Sequence, residues 1–350
     1  VAQPARPIRP KMQRLNPSAS TGAQPGSGRT TGSGRTTGKS GNPAKRNAPR
    51  TSGVAAGRPA TAGDWVSGAR LRTLPLAIAP VALGTGAAIV ASEPGAYHWV
   101  RALLALMVAL SLQIGVNYAN DYSDGIRGTD ANRIGPARLT GGGAARPSAV
   151  LTVALAFFAL AALAGLTLVV LTGQWWLLLV GAAAIVAAWF YTGGRRPYGY
   201  FGLGELFVFV FFGLVATLGT TFVQVGTVNT ESWLSGVGIG LIACAVLMVN
   251  NLRDREPDRV SGKRTLAVLI GDTASRVVFC VFLLVPFLIA GFFGLFYPLA
   301  WFTYFVLFLA VPAGLIVVTA TTSKELVLAL KLTSLASLAY GVLLALAFAL

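Results

Sequence analysis

Charge is what this sequence has least of. Only 11% of its 350 residues are Asp, Glu, Lys or Arg, where an ordinary soluble domain carries roughly 25%. So few charges cannot coat a water-exposed surface on a chain of this length. Histidine is nearly absent. The one residue, His98, stands beside Trp99 in a short connection, which argues against histidine catalysis and suits a membrane–water interface. The two cysteines, Cys244 and Cys280, both fall inside apolar stretches and have no partner at a metal-ligand spacing, so neither a disulfide framework nor a zinc site is expected. Acids are scarce too, 12 against 28 Lys and Arg.

The positive surplus does not read as nucleic-acid binding, because of where it lies. Residues 1–62 carry Arg6, Arg9, Lys11, Arg14, Arg29, Arg35, Lys39, Lys45, Arg46, Arg50 and Arg58 without one acid. This segment is rich in Gly, Ser, Thr and Pro, buries too little apolar surface to offset the entropy of ordering, and is expected to be a disordered tail attracted to anionic lipid. The unit GSGRTT occurs at Gly26–Thr31 and again at Gly32–Thr37. Gly38-Lys39-Ser40 imitates the end of a phosphate-binding loop, but Ser33 stands where that motif needs glycine and no strand precedes it. With no apolar stretch before a cleavage site, the tail is not expected to be a signal peptide.

Apolar length is what the sequence has in quantity, at 54% hydrophobic residues and a mean hydropathy of +0.66. Runs near the roughly 20 residues that cross a bilayer stand at Thr73–Ala91, Trp99–Asp121, Ser148–Leu171, Trp175–Tyr191, Gly204–Val225, Trp233–Leu252, Ser275–Phe293, Pro298–Ala320 and Glu325–Leu350. The cations between them alternate. Arg70 and Arg72, then Arg127 to Arg146, Arg195 and Arg196, Arg253 to Arg264, and Lys324 mark every second connection, while those around Glu93, Gly173, Glu231 and Tyr297 hold none. Basic connections face the cytoplasm. Residues 63–350 are therefore expected to form one all-α, polytopic membrane helical bundle of about nine transmembrane helices, amino terminus cytoplasmic, in the plasma membrane.

Six of the 12 acids fall in two short stretches, Asn117 to Asp130 and Asn250 to Asp258. Each stands at the cytoplasmic exit of an apolar run. Asn117, Asp121 and Asp124 share a helical face, as do Asn250, Asp254 and Asp258 if helix persists past Pro257. Asn120 and Asn251 lie beside them. Carboxylates at a helix carboxyl end oppose the macrodipole, and a bound cation reverses that penalty. Clustered oxygen donors suit Mg²⁺, which binds through one or two carboxylates, waters and substrate phosphates. The neighbouring Arg127, Arg133, Arg138, Arg253, Lys263 and Arg264 suit phosphate oxygens that a metal leaves free. An acid-lined cation path through a transporter is the competing reading, and it requires carboxylates near the bilayer midplane.

These residues resemble the UbiA superfamily of intramembrane aromatic prenyltransferases. Its first motif matches Asn120-Asp121-x2-Asp124-x5-Asp130, and its second matches Asp254 and Asp258. The longer first motif, with Arg133-Ile134-Gly135-Pro136 and Arg138, is similar to the menaquinone-pathway branch, as are Arg72-Thr73-Leu74-Pro75, Pro197-Tyr198-Gly199-Tyr200 before Gly204-Glu205, and Gly262 to Val268. The resemblance implies a helical bundle around a central cavity and Mg²⁺-dependent transfer from polyprenyl diphosphate to 1,4-dihydroxy-2-naphthoate, giving demethylmenaquinone, with carbon dioxide and a proton leaving. It implies metal ligation by Asn120, Asp121, Asp124, Asp130, Asp254 and Asp258, with Asp121, Asp124, Asp254 and Asp258 catalytic and Asp254 a conceivable base. Arg138 and Lys263 would meet the diphosphate. Asn117, Asn120, Asn250, Asn251, Tyr198 and Arg72 would face the substrates, Arg72 as partner of the acceptor carboxylate or as a membrane anchor, and Tyr191, Tyr198 and Tyr200 would line the mouth or form an interfacial belt. Hydroxybenzoate, a porphyrin-type ring and a sugar phosphate remain alternative acceptors.

Overall fold

Apolar runs in hydrocarbon must close each backbone N–H onto a carbonyl of the same segment, so they form helices. The computed structural model describes residues 58–93, 95–128 and 138–350. The tail up to residue 57, and Asp130 and Arg133, lie outside the described residues. Helix α1 (Ala62–Gly68) starts at a capping box of Thr61 and Asp64 and leads through a 3₁₀ turn, Leu71–Thr73, into α2 (Pro75–Ala91). Then come α3 (Trp99–Arg127), α4 (Pro147–Thr172), α5 (Leu177–Phe190) and α6 (Gly204–Val225), which is π-helical over Phe209–Val215. The remainder is α7 (Thr230–Arg253), α8 (Arg255–Val260), α9 (Leu266–Ile270), α10 (Asp272–Gly294), α11 (Pro298–Thr319) and α12 (Glu325–Ala349).

Among the described residues, seven helices are long and apolar enough to cross a membrane, and an eighth if Ala62–Thr73 and Pro75–Ala91, bent by 47°, act as one span. The difference from nine lies in the run Trp175–Tyr191. It yields only the 14 residues of α5, about 21 Å of helix against a hydrocarbon core of roughly 30 Å. Large apolar side chains point outward with nothing over them, Leu179 at 76%, Leu288 at 73% and Phe308 at 78% exposure. Such a surface belongs in lipid: this is a multi-pass membrane protein.

The main core joins α2, α7, α10, α11 and α12 through residues such as Leu83, Met248, Phe279, Ala310 and Tyr340. Small residues let the helix backbones approach. A Cβ on Gly341 would stand 2.7 Å from Ala79 Cβ, and one on Gly86 would stand 2.8 Å from Ala345 Cα, so α2 and α12 nearly touch. At the end of the bundle away from the acids, Arg101 supplies an otherwise cation-free side. Its guanidinium donates to the carbonyls of Leu171 (3.1 Å), Val223 (3.2 Å) and Gln224 (3.3 Å), the orphan carbonyls where α4 and α6 end.

The two acidic stretches both sit at helix ends. Helix α3 runs two turns past its apolar stretch and stops at Gly128, whose φ of +72° is the left-handed conformation that suits glycine. Helix α7 ends at Arg253, and α8 restarts at once with Pro257 in its first turn, where its missing N–H costs nothing. The helix therefore breaks at Asp254, yet Asp258 N still donates to Asp254 O at 2.9 Å.

Gly341→Val should force α2 and α12 apart and cost about 1–3 kcal/mol, read as a lower melting temperature in detergent. Gly314→Ala, where an added Cβ meets nothing within 4 Å, should leave the melt unchanged.

Candidate active site

One cavity of about 590 Å³ reaches from the ends of α3 and α7 into the bundle. Its deeper walls are apolar, built from α4, α5 and α6 with residues such as Val169, Ile185 and Phe211. Its polar end is lined by Asn120, Asp124, Arg138, Asp254, Asp258 and Lys263. The two acidic stretches, far apart in sequence, thus share one space.

Lys263 joins them. Its Nζ lies 3.3 Å from Asp124 Oδ1 and 4.0 Å from Asp258 Oδ1. The turn that returns Lys263 to the acids uses Gly262 at φ +79° and is closed by Lys263 N donating to Asp258 O at 2.9 Å. Arg138 Nη2 approaches the other oxygen of Asp124 at 3.5 Å. Tyr200, expected at the mouth or in an interfacial belt but not against an acid, donates its hydroxyl to Asp124 Oδ1 at 2.7 Å. Its ring carries Lys263 Nζ at 4.8 Å and the Arg127 guanidinium at 5.5 Å, cation–π contacts that hold both charges beside the carboxylate. Arg127 also donates to the carbonyls of Thr192 and Gly194. The Pro197-Tyr198-Gly199-Tyr200 segment was the available signal for Tyr200, but nothing in its spacing singled out which tyrosine meets the acid.

Asp254 is forked by its neighbour. Arg253, 1% exposed, donates Nε to Asp254 Oδ1 at 2.8 Å and Nη2 to Oδ2. Asn251 Nδ2 donates to Glu205 Oε1 at 3.0 Å, which orients its amide on the cavity wall. Asn120 Oδ1 accepts from Thr192 Oγ1 at 2.6 Å, and Asn117 Nδ2 donates to Ala69 O at 2.9 Å and Thr73 Oγ1 at 3.1 Å. Asn250 and Arg72 line the cavity as well. Tyr198 lines it with its ring, stacked on Phe207 at 3.9 Å, while its hydroxyl donates to Ala187 O at 2.8 Å. Burial pushes that phenol above its ordinary range, so it stays protonated at neutral pH.

Asp121 goes elsewhere. It is 2% exposed and does not line the cavity; Oδ2 accepts from Leu139 N and Oδ1 from Thr140 N, both at 2.9 Å. Helical geometry explains the divergence from its expected shared face. At 100° per residue, Asp121 sits roughly 70° around α3 from the stripe formed by Asn117, Asn120 and Asp124. Here it anchors the segment that delivers Arg138. Asp130 cannot be placed, since it lies outside the described residues.

Among the described residues, no three of His, Cys, Asp and Glu stand close enough to hold a metal between them. The donors still fit Mg²⁺ in kind. They are carboxylates and amides opposite two cations, the arrangement of a metal that takes one or two carboxylates and completes its shell with waters and substrate phosphates.

The sequence matches the UbiA prenyltransferase family over residues 77–326. It is 53% identical over 220 residues to a 1,4-dihydroxy-2-naphthoate octaprenyltransferase of Mycobacterium tuberculosis, covering 63% of this chain and 74% of that protein. It is 37% identical over 254 residues to the Haemophilus influenzae protein of the same name, covering 71% and 82%. The fold resembles that of a UbiA homologue from Aeropyrum pernix in its apo form (TM-score 0.58, 14% identity, 78% of this chain and 96% of that one). It also resembles one from Archaeoglobus fulgidus bound to DMAPP and Mg²⁺ (TM-score 0.54, 15% identity, 79% and 97%).

Asp121→Ala should release the backbone amides of Leu139 and Thr140. Hydrogen bonds to a charged acceptor are worth about 1.5–3 kcal/mol, so these two amides should exchange with deuterium at least about tenfold faster, while Asp124→Ala leaves them protected.

Proposed function

The chain belongs to the UbiA prenyltransferase family and is a membrane prenyltransferase, and from that premise we propose that it transfers a polyprenyl group from polyprenyl diphosphate to 1,4-dihydroxy-2-naphthoate in a Mg²⁺-dependent reaction. The product is demethylmenaquinol, the reduced form of demethylmenaquinone, an intermediate of menaquinone biosynthesis. The observation that carries this reading is Lys263 standing between Asp124 and Asp258 where an apolar cavity meets the helix ends. The names of the relatives support the acceptor, and the prenyl diphosphate and Mg²⁺ bound to the archaeal homologue support the donor and the metal.

Asn120, Asp124, Asp254 and Asp258 would hold the metal. When bound, Mg²⁺ supplies positive charge to the diphosphate oxygens and so eases departure of the leaving group. Lys263 and Arg138 lie against Asp124 in the meantime and are in place to turn toward the diphosphate. As the allylic C–O bond breaks, its electron pair leaves with the diphosphate, and these two side chains meet the charge that collects there. The walls of α4, α5 and α6 keep water from the allylic cation. A ring carbon of the acceptor supplies the pair for the new C–C bond. The proton lost from that carbon is matched by the one taken up where carbon dioxide departs, so the exchange balances. Arg72, on the same cavity, is suited to the acceptor carboxylate.

The basic segments around Arg138, Arg195 and Lys263 support a site that faces the cytoplasm from the plasma membrane, under the charge rule for membrane topology.

Purified protein given polyprenyl diphosphate, 1,4-dihydroxy-2-naphthoate and Mg²⁺ should release carbon dioxide and form the prenylated quinol. EDTA should stop the reaction and added Mg²⁺ restore it. Asp124→Ala and Asp258→Ala should each lower kcat by about 10²–10³-fold, the usual loss when one preorganised charge-stabilising group goes. Product with another aromatic acid and none with dihydroxynaphthoate would overturn the acceptor assignment.

A further inference from the structure

The polar stripe on α3 does not stop at the acids. It continues one turn deeper than Asn117, to Gln113, which lines the same cavity and is 5% exposed. Gln113 Nε2 donates to Thr73 Oγ1 at 2.8 Å, and Thr73 passes its own hydroxyl hydrogen to Arg70 O at 2.9 Å. Thr73 Oγ1 therefore has no hydrogen left to give and only accepts, from Gln113 and from Asn117. That fixes the amide of Gln113 with its nitrogen toward Thr73. Its carbonyl oxygen, Oε1, is buried and has no hydrogen-bond partner among the described residues.

A cross-helix staple needs only the nitrogen. The oxygen is a second feature, a buried acceptor beside a cavity that awaits a donor. The reactants differ in what they bring. A polyprenyl chain has no hydrogen-bond donor at all, and an ionised diphosphate has only acceptors. Gln113 also stands 11 positions from Asp124 along α3, about 16 Å of rise, too deep for the diphosphate held at the acids. The remaining reactant is the acceptor, whose ring hydroxyls are donors.

We propose that Gln113 Oε1 receives the hydrogen bond of a ring hydroxyl of the aromatic acceptor, and so selects a hydroxylated ring and sets its depth beneath the reacting allylic carbon. The assignment rests on the proposed prenyl transfer to a dihydroxynaphthoate and adds the group that reads its hydroxyl.

The test uses naphthoates that carry both, one or neither ring hydroxyl, as competitive inhibitors or substrates of the full-length protein. The wild type should bind the best hydroxylated member about tenfold or more tightly than plain 2-naphthoate, the worth of about one hydrogen bond. Gln113→Met, which keeps the length of the side chain, and Gln113→Leu should reduce that ratio to near one, while the KM for polyprenyl diphosphate stays within about twofold. Whichever variant folds, as judged by its melt, decides the matter. A ratio that persists in a folded variant, or a wild type that does not discriminate, overturns the role of Gln113. A wild type that fails to prenylate dihydroxynaphthoate sinks the reaction assignment instead, so the two failures are distinct.

Discussion

One ammonium group between two carboxylates organises the site. Asp124 comes from α3 and Asp258 from the short helix after α7, and both face the same cavity. Two ionised carboxylates that share one cavity repel each other and disfavour each other's charged form. Lys263 offsets that repulsion, with Arg138 adding a second cation and Tyr200 a hydrogen bond to Asp124. The surrounding turns serve this arrangement. Gly262 reverses the chain to bring Lys263 back, Arg264 N donates to Tyr200 O at 3.0 Å, and Asp121 holds the segment that carries Arg138.

The helical bundle could be read from the sequence because its cause is local. Long apolar runs separated by alternating charged and uncharged connections leave a backbone few choices, and the helices stand where the runs do. The residues that would form the site were also legible as a set, since scarce acids in an apolar chain stand out. Their individual assignments were not. Asn117, Asp121 and Asp124 all satisfy a helical spacing, but which of them faces the cavity depends on how α3 is rotated by its neighbours. That rotation comes from packing against α4 and from Tyr118 donating to Trp65 O at 2.6 Å. A one-dimensional pattern does not contain it. The partners of Tyr200 and Glu205 escaped for the same reason, because each lies some 46 to 76 positions away.

Arg101 shows the opposite kind of difference. Counted as charge, it sits on the wrong side of a topology rule. Its guanidinium is consumed by three carbonyls at the ends of two other helices, so it acts as a cap shared between helices. Charge rules describe cations that face water and lipid headgroups, and this one faces backbone. Glu205 is a comparable case near the site. A carboxylate buried within an apolar helix is costly, and its contact with Asn251 fixes an amide on the cavity wall.

The shortness of α5 reaches beyond the molecule itself. This helix lines the cavity on one side and on the other exposes Leu179, so a single layer of side chains divides the reaction chamber from the surrounding lipid. A segment shorter than the hydrocarbon around it obliges the bilayer to thin there, or its flanking Trp175 and Trp176 to settle inward. Acyl-chain length thereby becomes a mechanical load on the chamber wall. The thickness of the surrounding membrane would then reach the cavity through the same partition that walls it off from lipid.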